Sequence, residues 1–426
     1  MNTDTPTSPL AAIEAAVQRR AKDEAVDAAG DEGLLRHLID DEIARWRDEH
    51  RRGLRAFDLD DPTNIMDRAV RNLTGHGPLG PLLDDDDVWE IMVNAPDQIF
   101  VKRHRGPSGY HDEVFHDDEH VSRTLTKILD ESGAAHRKLD PTEGLQDAQL
   151  ASGARVHVVH PDLARDGHTI INIRKFTGVS IRRLDELVQT QTLDHRTAQF
   201  LRACVGSDLS MVFAGAPGAG KTTLMSCCAA ELAPDRRVVI AEEVFEADVP
   251  LANVAGMQTR GARPDRPEID LRRLVAGFLR MAPDVAIVGE VRDREALPLL
   301  LTLSSGVTGF TTIHAGSARQ ALGRLRFVAQ LAATDLPMAA LNTLVSDSID
   351  VVVHSVRTPA GPQVSEVLCV EELVGAADSA QFTATSVLAR DPRTGNLQAT
   401  GATPHRVGAA LERSGFLLSD LLGTHG

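Results

Sequence analysis

The sequence predicts an α/β protein: a large domain with a mostly parallel sheet follows a smaller α+β domain and a helical N-terminal extension. From residue 194 onward, apolar strand-like runs alternate with loops and helical patterns, which is typical of parallel sheets. Between residues 76 and 176, short strand-like runs surround a single helical pattern. The chain has 426 residues, of which 42% are hydrophobic and 25% charged, so it can form more than one ordinary globular core.

The predicted organisation has four parts. Residues 1–75 form the extension, 76–176 the α+β domain, 177–193 a linker and 194–426 the α/β domain with a C-terminal appendage. Within the extension, one helical face carries apolar residues at helical spacing. These are Leu34, Leu35, Leu38, Ile39, Ile43 and Trp46. A solvated surface helix is the simplest interpretation, and a helix that docks a partner is the alternative.

Composition limits the function classes. The formal net charge of -16 argues against a surface that coats nucleic acid, so no nucleic-acid partner is expected. The chain has 4 cysteines and no CxxC pair, which argues against a structural zinc site. We expect a cytoplasmic protein, because we find neither a membrane-spanning apolar run nor a secretory h-region. Membrane contact would then be peripheral and come through a partner.

The elements follow in order along the chain. In the α+β domain, strands are predicted in "VWEIMVNAPDQIFVKR", "GARVHVVHP" and "HTIINIRKF", and a helix in "VSRTLTKILDESG" that ends at Gly133. In the α/β domain the buried strands are "MVFAG", "RVVIAEE" and "VAIVGE", followed later by "DVVVHSV" and "SEVLCVEELV". Helices are predicted near 194–205 and at 221–232, 268–280, 293–304, 317–331 and 336–347.

A phosphate-binding loop is predicted where "GAPGAGKT" joins the strand "MVFA" to a helix. Glycines let the backbone N–H groups face phosphate oxygens, and the following helix adds positive potential at its N-terminus. Lys221 would reach the β- and γ-phosphates, and the Thr222 hydroxyl would bind Mg²⁺. The predicted phosphate-binding residues are Gly215, Ala216, Pro217, Gly218, Ala219, Gly220, Lys221, Thr222 and Thr223.

Carboxylates follow two neighbouring strands. Glu242, Glu243 and Glu246 come at and after the end of "VVIAEEVFE", and "DVAIVGEVR" places Glu290 at a strand end with Arg292 just beyond. Open α/β sheets bind ligands at the carboxyl ends of their strands. A glutamate there could hold Mg²⁺, directly or through water, or polarise an attacking water. The alternative for each is a solvated strand end.

Together these motifs resemble the type II/IV secretion ATPases, and within that family the CpaF/TadA branch that powers Tad (Flp) pilus assembly. "GAPGAGKTT" is similar to the family's Walker A motif and "AEEVFE" to its acidic box. "FLRMAPDVAIVGEVRDREAL" is similar to its Walker B motif and "GVTGFTTIHAGSARQALGRL" to its histidine box. The resemblance covers residues 76–375 and implies a RecA-like P-loop ATPase domain behind a PAS-like sensor domain.

The resemblance also implies roles for single residues. Either Glu246 or Glu290 would position the attacking water in ATP hydrolysis, with ATP and Mg²⁺ bound at Lys221 and Thr222. His314 would sense the γ-phosphate, the alternatives being a packing residue or a metal ligand. Four arginines would contact the nucleotide, the alternative for each being a surface ion pair. These are Arg155, Arg174, Arg260 and Arg280.

The chain departs from the family's pattern at four positions. Val307 stands where the family usually has a first histidine, and Gln149 and Ala282 stand in place of arginines. Glu243 replaces an aspartate of the acidic box, which is a mild change. The catalytic minimum of Lys221, Thr222, Glu246 and Glu290 is present.

The resemblance implies an ATP-hydrolysing motor that assembles as a ring of identical subunits. We expect this ring to be a hexamer. It would act peripherally at the cytoplasmic face of the inner membrane on a platform protein of a pilus or secretion system. Three alternatives stay open: a general-secretion or type IV pilus ATPase, a relative that no longer turns over, and a nucleic-acid motor. The lack of a four-cysteine module and of a basic, aromatic-rich strand path disfavours the first and the last.

Overall fold

The computed structural model describes residues 8–24, 30–104, 106–131, 144–150, 152–175, 181–260, 266–333, 335–372, 382–391 and 393–423. The chain divides into two compact units, Met1–Thr177 and Gly178–Gly426. Each unit has its own hydrophobic cores, so each is described by itself.

The first unit opens with three amphipathic helices. They are α1 (Pro9–Asp23), α2 (Glu32–Arg51) and α3 (Pro62–Thr74). Each begins at a residue whose side chain accepts a backbone N–H of the first turn, namely Ser8, Asp31 and Asp61. Their apolar faces pack together around Trp46 and Leu38, whereas the simplest sequence interpretation left them solvated. The predicted extension is therefore a small helical core and not a single surface helix.

An antiparallel sheet forms the rest of the first unit. A short helix α4 (Gly80–Asp84) precedes it, and helix α5 (Asp118–Glu131) contributes Ile128 and Leu129 to its core. The order across the sheet is β3-β2-β1-β6-β5-β4. The strands are β1 (Val88–Ala95), β2 (Gln98–Arg103), β3 (Gly109–Tyr110), β4 (Leu145–Gln149), β5 (Arg155–Val159) and β6 (Ile170–Arg174). The strands predicted from "VWEIMVNAPDQIFVKR" and its successors are present, while Gly133 lies outside the described residues.

A buried polar cluster joins α1 to this part of the unit. Glu14 is 4% exposed, accepts a hydrogen bond from Nδ2 of Asn72 (2.7 Å) and lies 3.0 Å from Nε2 of His116. The ring of His116 lies 5.0 Å from that of His120, which is fully buried. Burial, together with the nearby His116, lowers the pKa of His120 to about 4, so this ring is neutral in the folded protein at neutral pH.

We expect His120 to make the protein less stable in mild acid. A histidine whose pKa is lowered on folding binds its proton more weakly in the folded state, so stability falls as pH drops from about 6.5 toward 4, by roughly 3 kcal/mol in all. Urea unfolding between pH 7 and pH 5 measures this, with His120→Leu as the non-titrating variant. His37→Leu, at an exposed position, is the control. Equal pH slopes for the wild type and His120→Leu would contradict the assignment.

The second unit is built on a mixed sheet with the order β15-β14-β13-β12-β7-β11-β10-β8-β9. Pairing is parallel from β12 to β9 and antiparallel from β12 to β15. The parallel strands are β7 (Met211–Gly215), β8 (Val238–Glu242), β9 (Val254–Gln258), β10 (Val285–Val291), β11 (Thr308–Ile313) and β12 (Val351–Thr358). The remaining strands are β13 (Gly361–Val370), β14 (Ala384–Arg390) and β15 (Leu397–Ala399). The α/β class predicted from the sequence is confirmed.

Helices cover both faces of this sheet, which explains why its central strands are buried throughout. One core lies under α6 (Leu184–Gln189), α7 (His195–Gly206), α8 (Lys221–Ala229), α13 (His405–Arg413) and α14 (Leu418–Leu422). The other lies under α9 (Leu271–Val275), α10 (Ala296–Leu303), α11 (Ala318–Ala332) and α12 (Met338–Ser348). Alternate residues of β7 serve the two cores: Phe213 faces the first and Val212 the second.

In the second unit, the structure differs from several of the predicted elements. Strands β9 and β11 were not predicted as buried strands. The helix predicted over 268–280 is a short α9 followed by a 3₁₀ turn at Phe278–Met281, because Asp270 caps its start and Gly277 interrupts it. The segment predicted as a linker, 177–193, contains α6, whose Leu184 is fully buried.

Candidate functional site

The glycine-rich loop after β7 needs its glycines for steric reasons. Gly215 has a φ of 154°, and a Cβ there would lie 2.3 Å from the carbonyl oxygen of Ser355 on β12. Gly218 and Gly220 have φ values of 72° and 78°, in the left-handed region that side chains rarely adopt. Helix α8 then begins at Lys221, and among the described residues no side chain caps its N-terminus. Its first backbone N–H groups are therefore suited to bind an anion.

Lys221 is held inside the loop. Its side chain is buried, with Nζ donating to the carbonyl oxygen of Ala216 (3.1 Å) and lying 3.2 Å from Nδ1 of His314. His314 follows β11, the strand next to β7, so the parallel pairing brings these two side chains together. Nδ1 of His314 is also 3.2 Å from the carbonyl oxygen of Gly215.

His314 connects this lysine to Glu290. Its Nε2 lies 2.8 Å from Oε1 of Glu290, an ion-pair distance, although that carboxylate oxygen has no well-aligned hydrogen-bond donor among the described residues. A proton on Nε2 suits this pair. Nδ1 is then free to accept from Lys221 in the neutral ring, or to donate to Gly215 in the protonated ring.

The second oxygen of Glu290 contacts an arginine. Nη2 of Arg292 donates to Oε2 of Glu290 (2.7 Å), and Nη1 donates to Oε2 of Glu243 (2.6 Å). Burial by itself raises the pKa of Glu290, but His314 and Arg292 outweigh it and hold that pKa well below its usual range. The bond to Glu290 in turn raises the pKa of Arg292. Glu290 is therefore a fixed negative charge, suited to orienting a water or a cation.

A second carboxylate, that of Glu246, also lies beside the loop. Thr222 lies in the first turn of α8, and its Oγ1 is 3.5 Å from Oε2 of Glu246. A hydroxyl and a carboxylate this close are both ligands that Mg²⁺ accepts, together with phosphate oxygens and water. These residues thus fit the metal that the sequence predicts. In this structure Thr222 contacts Glu246, whereas Glu290, its predicted companion at the metal, contacts His314 and Arg292.

Residues 72–385 match the family model "Type II/IV secretion system protein". The match covers most of the chain and includes every residue of the site described in this subsection. The chain belongs to this family. This is the family that the four motifs predict, and that prediction is confirmed.

Several members of the type II/IV secretion family are similar to the chain. A protein of Mycobacterium tuberculosis assigned to conjugal transfer is 31% identical over 297 residues, covering 68% of this chain and 82% of its own length. The type IV secretion system protein PtlH of Bordetella pertussis is 31% identical, covering 65% of this chain and 87% of its own. Among solved structures, the VirB11 ATPase from the Brucella suis type IV secretion system is 26% identical, covering 68% of this chain and 94% of that one, with a TM-score of 0.36.

The four arginines expected from the secretion family lie in different places. Arg155 and Arg174 belong to the first unit, where they stand opposite each other on β5 and β6. In the second unit, Arg260 follows β9 and exchanges two backbone hydrogen bonds with Ile269. Arg280 lies in the 3₁₀ turn before the amino end of β10, whereas the glycine-rich loop lies at the carboxyl edge of the sheet. Within one chain, Arg280 is therefore not brought to the loop.

One further residue, Arg357, contacts the site and was not predicted to do so. Nη1 of Arg357, at the end of β12, donates to the carbonyl oxygen of Gly218 (3.2 Å). The only sequence signal was the strand "DVVVHSV", which ends beside β7. Glu242, which the sequence suggested only as one of three acids, is buried.

Within the described part of the chain, no group of three or more His, Cys, Asp or Glu side chains could hold a metal ion. None of the helices seen there is both long enough and apolar enough to cross a membrane.

Proposed function

We propose that this protein is a Mg²⁺-dependent ATPase that powers protein secretion or pilus assembly, in the manner of the CpaF/TadA (Tad/Flp) branch. The observation that supports this most strongly is the continuous contact from Lys221 through His314 to Glu290. It brings together a lysine that can bind phosphate and a half-buried, ionised carboxylate that can orient a water, two of the parts that phosphoryl transfer to water uses.

In this proposal the chain's own side chains divide the work. Lys221 leaves the carbonyl oxygen of Ala216 to bind the β- and γ-phosphates of ATP. That movement alters the contact at Nδ1 of His314. Phosphate binding at the loop therefore changes the contact between His314 and Glu290. Glu290 then orients the attacking water, as a negative charge whose pKa is too low for it to be a strong base.

Thr222 and Glu246 are the residues that would hold Mg²⁺. When bound, the metal would neutralise charge on the phosphate oxygens during the transfer. Arg292 donates to both Glu290 and Glu243 and so holds the two carboxylates near each other. Metal binding by Glu290, directly or through water, is the alternative predicted from the sequence.

The biological setting of the proposal rests on the family. A homohexameric ring would act peripherally at the cytoplasmic face of the inner membrane, on a platform protein of a pilus or secretion system. The similarity to proteins named for conjugal transfer and type IV secretion supports this setting. Roles for Arg155, Arg174, Arg260 and Arg280 around the nucleotide, some of them across subunits, belong to the same proposal.

An ATPase assay on the purified full chain tests the function. We expect phosphate release from ATP that requires Mg²⁺, increases with anionic lipid vesicles and is unaffected by DNA, together with larger particles in sizing when nucleotide is present. Absence of turnover under every condition would contradict the motor. Stimulation by DNA without any effect of lipid would favour the nucleic-acid motor instead.

A further prediction concerns His314. We expect His314→Ala to leave ATP binding close to wild type but to lower turnover about tenfold to a hundredfold, the cost of losing a group that orients a catalytic ligand. Binding of a fluorescent ATP analogue and phosphate release measure the two effects. His37→Ala, at an exposed position, is the control. Unchanged turnover would mean that His314 is a packing residue only.

A further inference from the structure

Glu242 is a charged residue buried at the carboxyl end of β8. Its side chain is 3% exposed, a costly position for a carboxylate unless hydrogen bonds compensate. Its Oε1 accepts two of them, from the backbone N–H groups of Glu246 (3.0 Å) and Ala247 (2.9 Å). The side chain therefore closes a loop on its own strand end through these two hydrogen bonds.

The loop closed in this way carries the two acids that reach the site. Glu246, whose backbone N–H is bound, places its Oε2 3.5 Å from Oγ1 of Thr222. Glu243, at the other end of the loop, turns to Arg292. The bonds to Glu242 thus fix the point at which these side chains diverge, so the position of Glu246 depends on them.

The packing of Glu242 also reaches the next strand. A Cβ at Gly289 of β10 would lie 2.7 Å from Cγ of Glu242, so the absence of a side chain there is what accommodates this glutamate. Gly289 directly precedes Glu290. The aliphatic part of Glu242 therefore fills the space between the acidic segment 242–246 and the end of β10 that carries Glu290.

We propose that Glu242 is a positioning residue for ATP hydrolysis, which holds the backbone at 246–247 so that Glu246 stays beside Thr222. This inference rests on the proposed function. The property that matters is the hydrogen-bond acceptor at Oε1, and the negative charge is dispensable. Glu242 touches neither the nucleotide nor the metal in this account.

The inference is tested with three variants of the full chain. Glu242→Ala removes the acceptor and should lower kcat about tenfold to a hundredfold, as loss of an orienting group does, with a smaller change in KM for ATP. Glu242→Gln keeps an amide oxygen that can accept the same two bonds, and should retain most of the wild-type kcat. Since Glu242 acts through Glu246, the double variant Glu242→Ala/Glu246→Ala should be no slower than Glu246→Ala alone.

Glu371 provides a matched control. It is also buried and its carboxylate accepts two backbone N–H groups, those of His405 and Arg406 at the start of α13. Glu371→Ala should lower thermal stability without changing kcat. A purely structural role for Glu242 would give the same pattern in Glu242→Ala and would overturn the inference.

Hydrogen–deuterium exchange gives a readout that does not depend on activity. The amides of 246–247 should exchange faster in Glu242→Ala than in the wild type, and at the wild-type rate in Glu242→Gln. If the wild type hydrolyses no ATP, the proposed function fails, while this measurement still tests whether Glu242 holds the backbone at 246–247. A Glu242→Gln variant as slow in turnover as Glu242→Ala, additive losses in the double variant, or unchanged exchange would each overturn the inference.

Discussion

We expect Lys221→Ala to abolish measurable ATP hydrolysis, a loss of at least about a hundredfold, comparable to removal of a group that stabilises transition-state charge. The reason is that Lys221 is a buried cation within the glycine-rich loop. Its ammonium group contacts a loop carbonyl oxygen and His314. Alanine leaves the φ > 0 glycines and therefore the loop backbone intact, but it removes the charge that meets the phosphates. Phosphate release and binding of a fluorescent ATP analogue measure the effect.

The control for this experiment is Lys102→Ala. Lys102 is half-exposed and pairs with Glu90 in the first unit, so its loss should leave hydrolysis unchanged. Turnover in Lys221→Ala equal to that of Lys102→Ala would show that the glycine-rich loop does not bind the transferred phosphate.

Glu290→Gln should reduce kcat about a hundredfold, within the range for removal of a group that activates water, while ATP still binds. Glutamine has nearly the same size, so the packing beside Gly289 persists. The negative charge between His314 and Arg292 is lost. Burst experiments with ATP would then show bound, unhydrolysed nucleotide.

Glu243→Gln is the matched comparison, since Glu243 and Glu290 accept from the same guanidinium group. Because Glu290 contacts both His314 and Arg292, whereas the contact of Glu243 with this group is through Arg292, Glu243→Gln should lower kcat less than Glu290→Gln does. Equal losses in the two variants would mean that the arginine bridge, and not the Glu290 carboxylate, is the critical element.

The glycine-rich loop could be predicted from sequence because its determinants are local. Three glycines, a lysine and a strand before them specify the backbone conformation within ten residues. The contacts of the site could not be predicted in the same way. Lys221 and His314 are 93 residues apart in the sequence. They meet because β11, which precedes His314, lies beside β7 in the sheet.

Strand β11 itself was missed for a physical reason. "TGFTTI" has three threonines and a glycine, and because threonine side chains are mostly exposed in folded proteins, this run does not suggest the buried centre of a sheet. The structure accommodates the threonines by hydrogen bonds: the hydroxyls of Thr311 and Thr312 donate to the carbonyl oxygens of Val288 and Gly289. Gly309 is required because a Cβ there would lie 2.2 Å from a methyl carbon of Leu303.

Other expectations depended on motif resemblance alone, and some of these are confirmed while others stay predictions. The family was identified correctly, whereas the branch within it stays a proposal. Roles for the four arginines stay predictions, since a spacing along the chain does not tell at which edge of the sheet a residue lies. Arg280 illustrates this: it precedes the amino end of β10, while Glu290 lies at the carboxyl end of the same strand.

The measurement that tests the central claim most directly is steady-state phosphate release by the purified full chain, with ATP and Mg²⁺, for the wild type, Lys221→Ala and Glu290→Gln. The account predicts turnover in the wild type that disappears on chelation of Mg²⁺ and in Lys221→Ala, and that falls about a hundredfold in Glu290→Gln with ATP binding retained. Turnover at the wild-type rate in either variant, or a folded wild type that binds ATP and releases no phosphate, would contradict it.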